Sequence, residues 1–139
     1  HRLHGKRALI VVAHALQRLA ARIPISALTN RNADLDVIGL RPHFVFELGA
    51  REHGAAKPDP SIFLAACERL GCAPHEVLHI GDDPEMDVLG ARRAGLAAAW
   101  INRDARTWSH EETPDISVTT LSELADWLDA QVASLATPS

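Results

Sequence analysis

Short apolar runs alternate along the chain with stretches in which apolar residues recur every three or four positions. This alternation predicts an α/β fold, a Rossmann-like three-layer αβα sandwich on a mostly parallel sheet. Residues 14–22 (HALQRLAAR) read as an amphipathic helix with Leu16, Leu19 and Ala20 inward, and Pro24 ends it. Residues 25–28 form a short strand closed by Thr29-Asn30, residue types that suit turns and caps because their side chains bond local backbone. A second strand is expected at 44–48 and a loop at 49–56. Asp59 then caps a helix with Pro60 in its first position, the stripe Ile62, Phe63, Ala66 and Leu70 behind it, and Gly71 at its end. A buried strand follows at 77–80, a helix at 84–94 with Gly95 as its C-cap, strands at 96–101 and 116–119, and an amphipathic helix at 121–135.

Length and charge narrow the classes. The 139 residues suffice for one ordinary domain, here a single α/β core over 1–139, with 1–13 as a linker or a remnant of a cap. A hydrophobic content of 47% supports a packed core, and a net charge of −4 without a long basic run argues against nucleic acid as a partner. The apolar run 8–13 is far short of the ~20 residues of a membrane span and lacks a cleavage signature, so a cytoplasmic protein with no membrane partner is expected. Cys67 and Cys72 flank a helix end without a second pair, which favours reduced structural thiols over a disulfide framework or zinc site. Trp100, Trp108 and Trp127 fit a core or an interface equally well, so oligomeric state is not legible.

The stretch 76–96 (EVLHIGDDPEMDVLGARRAGL) carries the candidate chemistry. An apolar strand runs into Gly81 and delivers Asp82 and Asp83 just before a helix, where open α/β sheets place their ligands. With Asp87 nearby, these carboxylates suit Mg²⁺, a hard cation that takes one or two carboxylates and keeps waters and phosphate oxygens. The alternative is that the aspartates simply cap the helix. Lys57 is the second candidate, because the chain uses twelve arginines and two lysines, and this one lies just before a helix start. Thr29-Asn30 is the third, able to hold phosphate oxygens through a hydroxyl and backbone N–H groups or to serve as an ordinary cap. His75-Glu76-Val77-Leu78-His79 matches a zinc-protease pattern, but on a strand its histidines do not share a face of a helix. Asp34 and Asp36 have paired-carboxylate spacing with no strand leading in and no Thr or Ser after, as at a solvated helix start. Of the eight histidines, His1, His4 and His14 are scattered near the start.

Taken in order, Leu28-Thr29-Asn30, then Lys57-Pro58-Asp59-Pro60-Ser61-Ile62-Phe63, then His79-Ile80-Gly81-Asp82-Asp83 with Asp87 and Gly90-Ala91-Arg92-Arg93-Ala94-Gly95 resemble the second, third and fourth motifs of the haloacid dehalogenase superfamily of phosphohydrolases. The resemblance covers about residues 14–130, and within the superfamily it is similar to bacterial flavin-biosynthesis phosphatases acting on 5-amino-6-(5-phospho-ribitylamino)uracil. It implies a Mg²⁺-dependent hydrolase of a small phosphorylated metabolite working through an aspartyl-phosphate. Under it, Thr29 and the Asn30 backbone would hold the phosphoryl group, and Lys57 would bridge phosphoryl and nucleophile. Asp82 would ligate Mg²⁺, with Asp83 and Asp87 as auxiliary carboxylates.

One departure is sharp. The superfamily's first motif, Asp-x-Asp-x-Thr or Ser after an apolar strand, supplies the nucleophile, and it is absent. The nearest strand-like stretch, 7–14 (RALIVVAH), carries no carboxylate. By the resemblance, the strand bearing that motif lies at the centre of the sheet beside the one ending at Asp82, with the cap after it. Three accounts are open: the chain is part of a longer protein; it is a short phosphate-binding or interaction module whose 8–13 segment fills the central position without catalysis; or a separate chain supplies the motif.

Overall fold

The computed structural model describes residues 17–21, 23–29 and 44–136. The expectations for 1–13, His14, Leu16, Asn30, Asp34 and Asp36 lie outside the described residues, as does the side chain of Thr29. The strands are β1 (Ala27–Thr29), β2 (Glu47–Gly49), β3 (Leu78–Gly81), β4 (Ala97–Ile101) and β5 (Ile116–Val118). The helices are α1 (Ala50–His53), α2 (Pro60–Leu70), α3 (Gly90–Arg93) and α4 (Leu121–Ala136), with a helical turn at 17–20. Among the described residues every pairing is parallel, in two sheets ordered β1-β2 and β3-β4-β5.

Both faces of the three-stranded sheet are covered, which is why β4 reads as a continuous apolar run rather than an alternating one. Ala98 and Trp100 face a core with Ile62, Phe63 and Cys67 of α2, Val88 and Ala91. Ala99 and Ile101 face the opposite way onto Val118 and Leu124. Leu124 belongs to α4, so helices lie on either side of the sheet in three layers. On the α4 side, Arg18 of the 17–20 turn reaches Asp126 and Asp129, each at 2.7 Å. Among the described residues no helix is long and apolar enough to cross a membrane.

The helix α2 follows its punctuation. Asp59 accepts a hydrogen bond from the Ser61 N–H at 2.8 Å, Pro60 occupies the first position, and Gly71 ends the helix at φ 71°. Four expectations need correction. The 49–56 loop contains α1, because Ala50, Arg51 and Glu52 favour helix and Gly54, at φ 96°, supplies the left-handed stop. Ala20 is exposed while Leu19 is buried, since neighbours on a helix point about 100° apart and only Leu19 faces the core. The helix expected at 84–94 begins as a wide π-helical stretch, Pro84–Leu89, before narrowing to α3. Cys67 and Cys72 are both free thiols; Cys67 is buried, which pushes its pKa up, but Cys72 is exposed and packs in no core.

Candidate active site

Asp87 is the buried charged side chain of the described core, at 5% exposure. Its position follows from the residues before it. Gly81 ends β3 where a Cβ would overlap the Asp87 side chain, so only glycine lets the carboxylate pack against the strand's last residue. Asp83 caps the next segment by accepting from the N–H groups of Glu85 at 3.0 Å and Met86 at 2.8 Å. The wide turn, with the Val88 N–H reaching the Asp83 carbonyl at 3.3 Å, then carries Asp87 back over the strand.

Four groups meet there. The Asp87 Oδ1 accepts from Lys57 Nζ at 2.7 Å and from His79 Nε2 at 2.9 Å, while Oδ2 accepts from the Asp83 N–H at 3.2 Å. Burial alone pushes the Asp87 carboxyl up, but the His79 hydrogen bond and the Lys57 charge outweigh it and hold the pKa at about 2, against an ordinary 3.8. An ionised carboxylate only accepts, so His79 carries a proton on Nε2. Its ring also meets the Phe63 ring edge-on at 4.9 Å.

Lys57 arrives from the other sheet. The chain leaves β2 through α1, turns at Gly54 and reaches Lys57 just before the cis Lys57–Pro58 peptide and the Asp59 cap. The loops leaving the carboxyl ends of β2 and β3 therefore converge at the Lys57–Asp87 pair. Because β1 runs parallel to β2, with Thr29 opposite Gly49, Thr29 ends its strand on that same side. Asn30 lies outside the described residues.

The three acidic residues thus do three different things. Asp87 organises Lys57 and His79, Asp83 caps the π-helical stretch, and Asp82 is exposed with its carboxylate directed to no described partner. The backbone carbonyl of Asp82 accepts from the Trp100 indole N–H at 2.9 Å. Among the described residues no three His, Cys, Asp or Glu side chains cluster as a complete metal cage. A single available carboxylate fits Mg²⁺ nonetheless, since that ion keeps waters and phosphate oxygens for most of its positions. Beside Asp82 opens a largely apolar cavity of about 610 Å³, lined on one wall by Ala27 and Leu28 of β1 and on the other by β3.

His75 is exposed on the turn Pro74–Glu76 and His79 lies on β3, so the zinc-protease spacing does not become a shared helical face. The roles that sequence reasoning missed are those of His79 and Trp100. The strand pattern set His79 aside as a ligand without indicating that it meets Asp87. Trp100 meets Asp82 only through the β3-β4 register, in which Gly81 lies opposite Trp100.

The haloacid dehalogenase-like hydrolase family profile matches residues 9–95. The 5-amino-6-(5-phospho-D-ribitylamino)uracil phosphatase YigB of Escherichia coli (strain K12) is 37% identical over 113 residues, covering 78% of this chain and 48% of that protein. Among solved structures, a 2-haloacid dehalogenase from Pseudomonas syringae pv. Tomato DC3000 superposes with a TM-score of 0.80 at 36% identity, over 84% of this chain and 51% of that one. The HAD-hydrolase YfnB from Bacillus subtilis, bound to magnesium, superposes with a TM-score of 0.77 at 26% identity, over 84% and 54%. The chain spans about half the length of these relatives.

Proposed function

Because the chain belongs to the haloacid dehalogenase-like hydrolases, we propose that it forms the phosphate-holding and metal-holding part of a Mg²⁺-dependent phosphomonoester hydrolase acting on a small phosphorylated metabolite. The observation that carries this reading is the Lys57–Asp87 pair at the carboxyl end of β3, in the loop that also bears the exposed Asp82. Mg²⁺ held by Asp82 would supply neutralising charge to the phosphoryl oxygens.

The residues of the chain divide the remaining work. Asp87 keeps the Lys57 ammonium in place. At ~4 Å from a phosphoryl oxygen and an effective dielectric of about 20, that ammonium is worth about 4 kcal/mol before desolvation, acting on the group being transferred and on the attacking carboxylate. Thr29, at the end of β1, donates its hydroxyl to a phosphoryl oxygen, and the Asn30 backbone N–H adds a second donor. Asp83 holds the start of the π-helical stretch and so keeps Asp87 over β3. The nucleophile is a carboxylate on an extended segment entering the cavity between β1 and β3, either upstream in the same protein or on a separate chain. Its oxygen attacks phosphorus as the bond to the leaving alcohol breaks, and water then cleaves the aspartyl-phosphate to inorganic phosphate.

The test compares the 139-residue chain with the same chain carrying an N-terminal extended segment that contains Asp-x-Asp-x-Thr. The expected result is Mg²⁺-dependent orthophosphate binding by both and hydrolysis of p-nitrophenyl phosphate by the extended protein alone. Turnover by the 139-residue chain on its own refutes the account of the nucleophile. Phosphate binding without turnover after extension supports a non-catalytic binding module instead, and chloride release from 2-chloropropionate in place of phosphate release supports a dehalogenase.

A further inference from the structure

The peptide unit joining Asp82 to Asp83 is held at both ends. Its carbonyl, on Asp82, accepts from the Trp100 indole N–H at 2.9 Å, and its N–H, on Asp83, donates to the Asp87 Oδ2 at 3.2 Å. Asp87 is in turn fixed through its other oxygen by Lys57 and His79. Trp100 is itself immobilised, 3% exposed on β4 directly opposite Gly81, with the Trp108 ring packed edge-on at 4.9 Å. A buried indole N–H needs an acceptor somewhere. Here the acceptor belongs to a peptide plane adjoining the Asp82 Cα, so its rotation would redirect the exposed Asp82 side chain.

We infer that Trp100 is a positioning residue for Asp82: its indole N–H and the Asp87 carboxylate lock the Asp82–Asp83 peptide from opposite sides, so that the Asp82 carboxylate is presented ready-aimed at the rim. The inference rests on the assignment of Asp82 to Mg²⁺ for its functional consequence, but the clamp is measurable without any metal. Its energetic sense is preorganisation. A group that orients a metal-binding residue typically contributes 10–100-fold to affinity, because the ligand no longer loses that freedom on binding.

The experiment uses the 139-residue chain as wild type, Trp100→Phe, Asp82→Asn and Leu124→Ala, the last a core truncation on the opposite face of the sheet. Amide exchange followed by NMR is expected to show Asp83 exchanging at least ~10-fold faster in Trp100→Phe relative to the Ala98 amide on β4, with no such selective change in Leu124→Ala. Mg²⁺ titration is expected to show a Kd raised about tenfold in Trp100→Phe and unchanged in Leu124→Ala. In the wild type, whose three tryptophans give three indole N–H signals, Mg²⁺ should move the Trp100 signal and leave Trp127 in place. An Asp83 exchange rate unaltered by Trp100→Phe overturns the clamp, and a Kd unaltered by it overturns the positioning role. If the wild type and Asp82→Asn respond identically to Mg²⁺, the metal assignment of Asp82 fails, and the exchange rates still decide the clamp. If Trp100→Phe does not fold, a wild-type Trp100 indole signal that ignores Mg²⁺ overturns the positioning role.

Discussion

Asp87→Asn keeps the shape of the side chain and removes its charge, which makes it a direct probe of the buried ion pair. The Asp87 pKa falls from 3.8 to about 2 on folding, and at 1.36 kcal/mol per unit this is about 2 kcal/mol of stability at neutral pH. Because the folded-state value is depressed, that stabilisation is complete well above the unfolded value and is lost as pH falls toward the folded one. About half of it, ~1 kcal/mol, is gone by pH 3. At pH 7 the substitution also leaves Lys57 and His79 facing a neutral amide, so the total cost is about 3–5 kcal/mol. Urea unfolding of both proteins at pH 7 and pH 3 should show the gap between them narrowing by ~1 kcal/mol on acidification. Other carboxylates with depressed values, such as Asp115, titrate in both proteins and cancel in the difference. A gap that is the same at both pH values would mean Asp87 is not held as an anion by its neighbours, and the description of the site would fail with it.

Three further outcomes follow from the same structure. Gly81→Ala places a methyl group on the Asp87 side chain; it should lower the urea midpoint by more than Gly54→Ala, at a turn where a Cβ meets open space but φ is 96°, and a smaller effect would contradict the close packing of Asp87 on β3. Phe63→Ala removes a fully buried ring that contacts His79 and should cost about 3–5 kcal/mol by urea unfolding, whereas a loss below 1 kcal/mol would place Phe63 outside the core. Lys57→Met should weaken Mg²⁺-dependent orthophosphate binding at least ~10-fold by calorimetry, and unchanged affinity would remove Lys57 from the phosphate site.

Elements defined by local chemistry were legible in the chain. Asp59, Pro60 and Gly71 bound α2 because a cap, a fixed φ and a left-handed stop act within a few residues of one another. The candidate site was legible as a set of residue types, since Gly81 followed by Asp82 and Asp83 at a strand end, and a rare lysine before a helix, are local signals. The division of labour was not. Asp83 proved to be the cap and Asp87 the partner of Lys57, a pairing thirty residues apart that depends on the wide turn at 84–89. Nothing in PEMDVL announces π-helical geometry, which arises where Asp87 must fit over Gly81. The short α1 escaped because four residues are too few for periodicity to register. Trp100 reaches Asp82 through parallel register between strands separated by a whole helical crossover, information that spacing along one segment does not hold.

The central claim is that Lys57 and Asp82 serve one phosphate and one Mg²⁺ at a single rim. Because the chain contains two lysines, Lys6 and Lys57, NMR of protein labelled at the lysine ε position gives two signals to follow while orthophosphate is added with and without Mg²⁺. The account predicts that the Lys57 signal moves, that Mg²⁺ strengthens the response, and that Asp82→Asn abolishes the Mg²⁺ effect while Lys6 stays in place. A Lys57 signal that ignores phosphate, or one whose response is indifferent to Asp82, would contradict it.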